Sequence, residues 1–239
     1  MTRAQRLFVT AIGAVIVCAI TSSAAFAAGF LGPGHSSSEF ADASAAWFPD
    51  ATNLNFVDLS VSRNDFVFRP TRNSGGTATM QHATLLFVTV EGPAVAGSEC
   101  FVIPDSDLVV GSDVQSASLH ATVNAIDRCQ GLPQSLSDVA AGKPGGPPPV
   151  PGIQFPLTVS ASWSGNGTTA RFNNSGRATC GSFAMESHSS VSTARGTATG
   201  SVSMPGLTVT PSPTDQASLD QGTNVSDIQG SLSPACFGV

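Results

Sequence analysis

The run F-P-L-T-V-S-A-S-W-S-G-N-G-T-T-A-R-F, residues 155–172, decides the fold class. Phe155, Leu157, Val159, Ala161 and Trp163 alternate with Pro156, Thr158, Ser160 and Ser162, and successive side chains leave opposite faces of a strand. Asn166-Gly167 is the strongest short hairpin signal, because a type I′ turn needs positive φ at both central residues. A two-residue turn there sets Trp163 opposite Ala170 and Ala161 opposite Phe172, whereas a four-residue loop pairs Trp163 with Thr168. Either register predicts Trp163 and Phe172 on the core face, with Arg171, Thr169, Ser162, Ser160 and Thr158 outward. Trp163 can be read as an exposed platform for a sugar or as a core anchor whose indole N–H caps a loop carbonyl. Its parity with the apolar set favours the anchor, and leaves Arg171 as the better candidate for a surface contact. Trp47, in A-A-W-F-P-D, reads as a plug for the edge of the core.

The period of two recurs along the chain. T-M-Q-H-A-T-L-L-F-V-T-V (79–90) is rich in β-branched and aromatic residues, and D-V-Q-S-A-S-L-H-A-T-V-N-A-I sets Leu119, Ala121, Val123 and Ala125 on one face. No stretch after the N-terminal segment carries the three-to-four repeat of an amphipathic helix of three turns. Gly and Pro clusters punctuate the strands, so the expected fold is all-β, an antiparallel β-sandwich. The run G-K-P-G-G-P-P-P-V-P-G (142–152) cannot sit in a sheet, since proline lacks a ladder donor. It separates residues 45–141 from 153–239, and these halves echo each other in order: Leu59–Ser62 with Leu157–Ser160, Gly76–Thr79 with Gly196–Thr199, and Ser112–Gln115 with Ser226–Gln229. The echoes admit a reading as two pseudo-repeated β halves, against which Cys100 and Cys180 stand at non-equivalent places. Residues 28–44, rich in Gly, Ser and Ala, read as a flexible leader.

W-S-G-N-G at 163–167, S-A-S-L-H-A-T-V at 116–123 and A-R-G-T-A-T-G-S-V at 194–202 together resemble a group of uncharacterised secreted bacterial proteins that share a Trp-Thr-Gly-x-Gly hairpin. Ser164 stands where threonine is common in that group. The resemblance covers about the last two thirds of the chain after its N-terminal segment. It implies secretion and a β fold, and no activity.

The first 27 residues independently suggest export. Arg3 and Arg6 precede the apolar run Leu7 to Ile20, and Ala25-Phe26-Ala27 offers small residues at the positions a signal peptidase reads. Lipidation at Cys18 would need a small residue where Val17 stands. Removal of residues 1–27 leaves four cysteines, Cys100, Cys129, Cys180 and Cys236, an even number suited to two disulfides in an oxidising compartment. Of the three pairings, Cys100 with Cys129 and Cys180 with Cys236 closes each bridge within its own half. Removal also takes two arginines and no acid, so eight basic residues face sixteen acidic ones. That balance repels phosphate backbones and anionic lipid heads, so nucleic acid and membrane surfaces are not expected partners; an extracellular partner or a polysaccharide is.

Signatures of catalysis and of cofactors are missing. There is no G-x-S-x-G, no H-E-x-x-H and no Walker or dinucleotide glycine pattern, and no cofactor is expected. His82, His120 and His188 are scattered, and the alternation turns His120 toward solvent. The best chemical candidate is P-D-S-D-L-V-V-G-S-D, whose Asp105, Asp107 and Asp113 can offer oxygens to Ca²⁺; equally, Asp105 and Asp107 can cap a turn. The expected function is a non-catalytic binding, adhesive or structural role outside a bacterial cell. The alternative is a small secreted hydrolase whose residues come from separate strands.

Overall fold

The computed structural model describes residues 33–71, 78–129 and 152–230. The predicted signal segment, most of the Pro/Gly connection and Cys236 lie outside the described residues. Ten antiparallel strands form one sheet: β1 (Gly34–Trp47), β2 (Phe56–Pro70), β3 (Thr79–Glu91), β4 (Ala96–Ile103), β5 (Leu108–Val110), β6 (Ser116–Val123), β7 (Leu157–Cys180), β8 (Phe183–Met204), β9 (Leu207–Val209) and β10 (Thr214–Gln229). The order is β4-β3-β2-β1-β10-β8-β7-β6-β5, with β9 beside β8. The two halves therefore share one sheet, joined where β1 pairs β10 and continued where β6 pairs β7. One of the three echoes joins a turn at Ser112–Gln115 to a strand at Ser226–Gln229.

The flexible leader is corrected from Gly34 onward. Residues 34–44 belong to β1, an interior strand of the sheet, and Phe40, Ala41 and Ala43 are buried. Low intrinsic β propensity is overridden there by pairing on both sides, to β2 and β10.

The sheet folds over on itself without closing. Ala43, Ala45 and Trp47 of β1, Val57, Leu59 and Val61 of β2, Leu86 and Val88 of β3, Leu119 and Ala121 of β6, Val159 and Trp163 of β7 and Ala198 of β8 fill one core. Registered partners share a face of an antiparallel sheet, so these residues all lie on what we call the first face. Phe101 of β4 stands edge-on to Phe155 at 5.9 Å, and the Cys100–Cys129 disulfide fastens the edge beside it. A smaller cluster, Phe68, Phe183 and Ile228, sits at the far end of the long strands on the second face. The sheet thus buries opposite faces at its two ends, as strong coiling of long strands allows.

The predicted hairpin at Asn166-Gly167 is also corrected. β7 runs straight through it as a 24-residue strand paired to β8. Gly167 does hold φ +82°, but in a bulge: Gly165 pairs Gly196 and Thr169 pairs Ala194, so β7 carries two extra residues. Asn166 accepts the Thr168 N–H at 3.0 Å, which satisfies locally what a turn would have satisfied. Without a reversal the alternation is carried on, and Phe172 falls on the face opposite Trp163, 58 % exposed instead of in the core. Arg171 falls on the Trp163 face, beyond the end of the core, where it is exposed.

Candidate functional site: the open polar face

Past the core, five strands continue with a first face that no described segment covers. Two neighbouring rows cross β2, β1, β10, β8 and β7: Val67, Ser37, Val225, His188 and Ser175, then Asp65, Glu39, Thr223, Ser190 and Asn173. A third row holds Arg69, His35, Asp227, Glu186 and Arg177, and on the core side a fourth ends in Gln221, Ser192 and Arg171. Within the first two rows lies an open trough of about 420 Å³, lined by Asn173, Asn174, Ser175, His188, Ser189, Ser190, Thr223 and Val225. Its floor is the backbone of β7, β8 and β10. Its walls present hydroxyl, amide and imidazole groups, which can both donate and accept hydrogen bonds, with one apolar side chain, Val225. Two ion pairs flank it: His35 Nδ1 lies 2.9 Å from Asp227 and Arg177 Nε lies 3.7 Å from Glu186. Both pairs are solvent-exposed and contribute little to stability.

The local sequence explains why the face is open. The first-face positions of β8 change from Ala194 and Ala198 to Ser192, Ser190 and His188, and those of β7 from Val159, Ala161 and Trp163 to Arg171, Asn173 and Ser175. The bulge marks the changeover. Gln115 clamps it: its carbonyl accepts the Gly165 N–H at 2.7 Å, its Oε1 accepts the Gly167 N–H at 2.9 Å and its Nε2 donates to Thr169 Oγ1 at 2.6 Å. Val114, beside it, is buried with φ +60°, a strained conformation for a β-branched residue.

The calcium candidates do not converge. Asp105 accepts Thr84 Oγ1 at 2.6 Å and lies 2.6 Å from His82 Nε2, while His82 Nδ1 is 2.5 Å from Asp65. Asp113 accepts the Gln115 N–H at 3.1 Å in a local turn, and Asp107 accepts Ser106 Oγ at 3.4 Å. Among the described residues no group of three His, Cys, Asp or Glu side chains is placed to hold a metal ion. The expected turn cap is absent too: the Asp105–Asp107 3-10 turn has no side-chain cap. Asp105 instead ties that turn to β2 and β3 through His82. Bonds to Asp65 and Asp105 raise the His82 pKa, and the bonds from Thr84 and His82 hold Asp105 below the usual carboxylate range. His120 is exposed and 2.8 Å from Ser160 Oγ.

Another acidic group is hidden on the second face. Asp42 and Asp220 are directly opposed on β1 and β10. Burial, with a smaller push from Asp220, raises the Asp42 pKa to about 7, and burial raises Asp220 as well. Asp42 is 2 % exposed, and its Oδ1 has no hydrogen-bond partner among the described residues. Burial likewise raises Asp58 to about 6.

Of the residues singled out from sequence, Cys100 and Cys129 are joined as expected. Cys180, on β7, is also disulfide-bonded, while Cys236 lies outside the described residues. Arg171 is near the trough, one row away. The trough residues themselves were invisible in the sequence, where they are ordinary Ser, Asn and Thr on a polar strand. No described helix is long and apolar enough to cross a membrane. No protein-family model matches the chain, and no curated protein matches it.

Proposed function

We propose that the protein is an exported bacterial binding protein that holds an extracellular polysaccharide on its open sheet face, in an adhesive or structural role. The observation that carries the reading is the trough lined by Asn173, Ser175, His188, Ser190 and Thr223. A polyhydroxylated ligand exchanges hydrogen bonds with water for hydrogen bonds with such groups at little net cost, and an open trough admits a polymer without threading its end. The Cys100–Cys129 disulfide suits an oxidising compartment, and the signal-like first 27 residues suit export.

The alternative reading, a secreted hydrolase, would draw on Asp42 and Asp220, the opposed carboxylates with raised pKa values. With Asp42 only 2 % exposed, a substrate has no route to both, and the binding reading is preferred. Affinity electrophoresis of the protein through gels containing individual bacterial cell-wall and plant polysaccharides tests it. The wild type should be retarded by at least one of them, and Ser190→Arg, which fills the trough from an exposed position, should migrate freely. Free migration of the wild type in every gel, or equal retardation of the variant, would overturn the proposal.

A further inference from the structure

Past the reach of β6, β7 is the lateral strand of the sheet among the described residues. β6 pairs β7 only as far as Ser164, and Gln115 extends the contact to Thr169. Beyond that point β8 continues to pair the inner side of β7 to Cys180, while among the described residues nothing hydrogen-bonds its outer side. Ten successive residues, Ala170 to Thr179, are exposed. In an antiparallel strand about half of the backbone N–H and C=O groups point away from a single neighbour, so this edge presents a row of donors and acceptors that no described residue pairs. Natural edges of this length are normally blunted by proline, by a bulge or by a covering segment. From Ala170 to Thr179 there is no proline, the bulge lies before the open stretch, and the only charged residues are Arg171 and Arg177.

We propose that the outer edge of β7, from Ala170 to Thr179, accepts an extended acidic peptide segment of a partner protein as an added strand. Main-chain hydrogen bonds supply the affinity in this mode, and side chains at alternate positions supply the choice of partner. Arg171 and Arg177 share one face, six residues apart and so roughly 20 Å along the strand. They select a segment with carboxylates at matching separation. Arg177 can serve both Glu186, at 3.7 Å, and an incoming carboxylate, since the existing pair is exposed and weak. A second copy of this chain fits less well. Two identical edges meet antiparallel about a two-fold axis, and an overlap centred on Asn174 opposes Arg171 to Arg177 twice. Like charges directly opposed destabilise a strand pair.

The test uses the full chain and two labelled synthetic ten-residue peptides, proline-free, alternating Thr or Val with Glu in one and with Lys in the other. Fluorescence anisotropy should show the Glu peptide binding at least about tenfold more tightly than the Lys peptide, and the double variant Arg171→Glu, Arg177→Glu should reverse the order. Residue-resolved amide exchange should slow between Ala170 and Thr179 when the Glu peptide is bound. Equal binding of the two peptides, protection confined to other strands, or sedimentation of the protein alone as a dimer that the Arg variants abolish would each overturn the proposal.

Discussion

Trp47 and Trp163 brace the core reciprocally. Trp163 of β7 donates its indole N–H to the carbonyl of Ser44 on β1 at 2.9 Å, and Trp47 of β1 donates its own to the carbonyl of Ala198 on β8 at 3.3 Å. Ala198 is the residue registered opposite Trp163. Each indole thus satisfies its polar atom on the strand system that carries the other, and both rings lie in the core, 2 % and 3 % exposed. Trp163→Ala should lower unfolding stability by about 3–5 kcal/mol, as truncation of a large buried aromatic does. Trp163→Phe should lose less, keeping ring packing but leaving the Ser44 carbonyl without this donor. Urea denaturation of the two variants checks both the size and the order.

Close approach of backbones predicts a contrast between two glycines. A Cβ on Gly196 would stand 2.0 Å from the Ser164 carbonyl oxygen, whereas on Gly176 it would meet nothing closer than Ser187 Oγ at 3.4 Å. Gly196→Ala should therefore destabilise by more than about 1 kcal/mol, since the clash is with backbone. Gly176→Ala should be neutral or stabilise by up to about 1 kcal/mol, because it lowers the entropy of the unfolded chain. Thermal unfolding of the pair checks the sign of each.

The buried acids make stability fall as pH rises. Asp42 has an ordinary value of 3.8 and a folded value of about 7, so the unfolded chain releases a proton that the folded one retains. Its contribution is full below pH 4 and is lost as pH rises to 7; Asp58 and Asp220 act in the same direction. Within this window stability should decline by up to about 1.4 kcal/mol per pH unit for one such group. Asp42→Asn should flatten the slope and stabilise the protein at pH 7. Chemical denaturation at half-unit pH steps measures it.

Reduction of the Cys100–Cys129 bridge, which spans 29 residues, releases a closed loop in the unfolded chain. Cys100→Ala/Cys129→Ala should cost roughly 3–4 kcal/mol by the loop-entropy relation, and the loss should be visible as a lower urea midpoint with the sheet retained.

The alternation in residues 155–163 was enough to make Trp163 a core residue, and the same reasoning gave the strands around Leu86 and Leu119. It failed where a local signal had two possible outcomes. Asn166-Gly167 supports a tight turn or a bulge equally well, and the choice depended on whether β8 offered a partner for the rest of β7, which is a non-local fact. A turn reverses the face of every residue after it and a bulge of two residues does not, which is why Phe172 and Arg171 lie on the sides opposite to those the hairpin reading predicts. β1 was missed because Gly, Ser and Ala acquire strand structure from neighbours on both sides. The trough has no motif at all: Asn173, Ser190 and Thr223 come from three strands, and only the register brings them together.

The proposed binding of a polysaccharide on the open face can be read residue by residue by two-dimensional NMR of the labelled protein, titrated with the soluble cell-wall and plant polysaccharides. At least one polymer should shift the amide signals of Asn173, Ser175, His188, Ser190 and Thr223 together. Unmoved spectra with every polymer, or shifts gathered away from β7, β8 and β10, would contradict it.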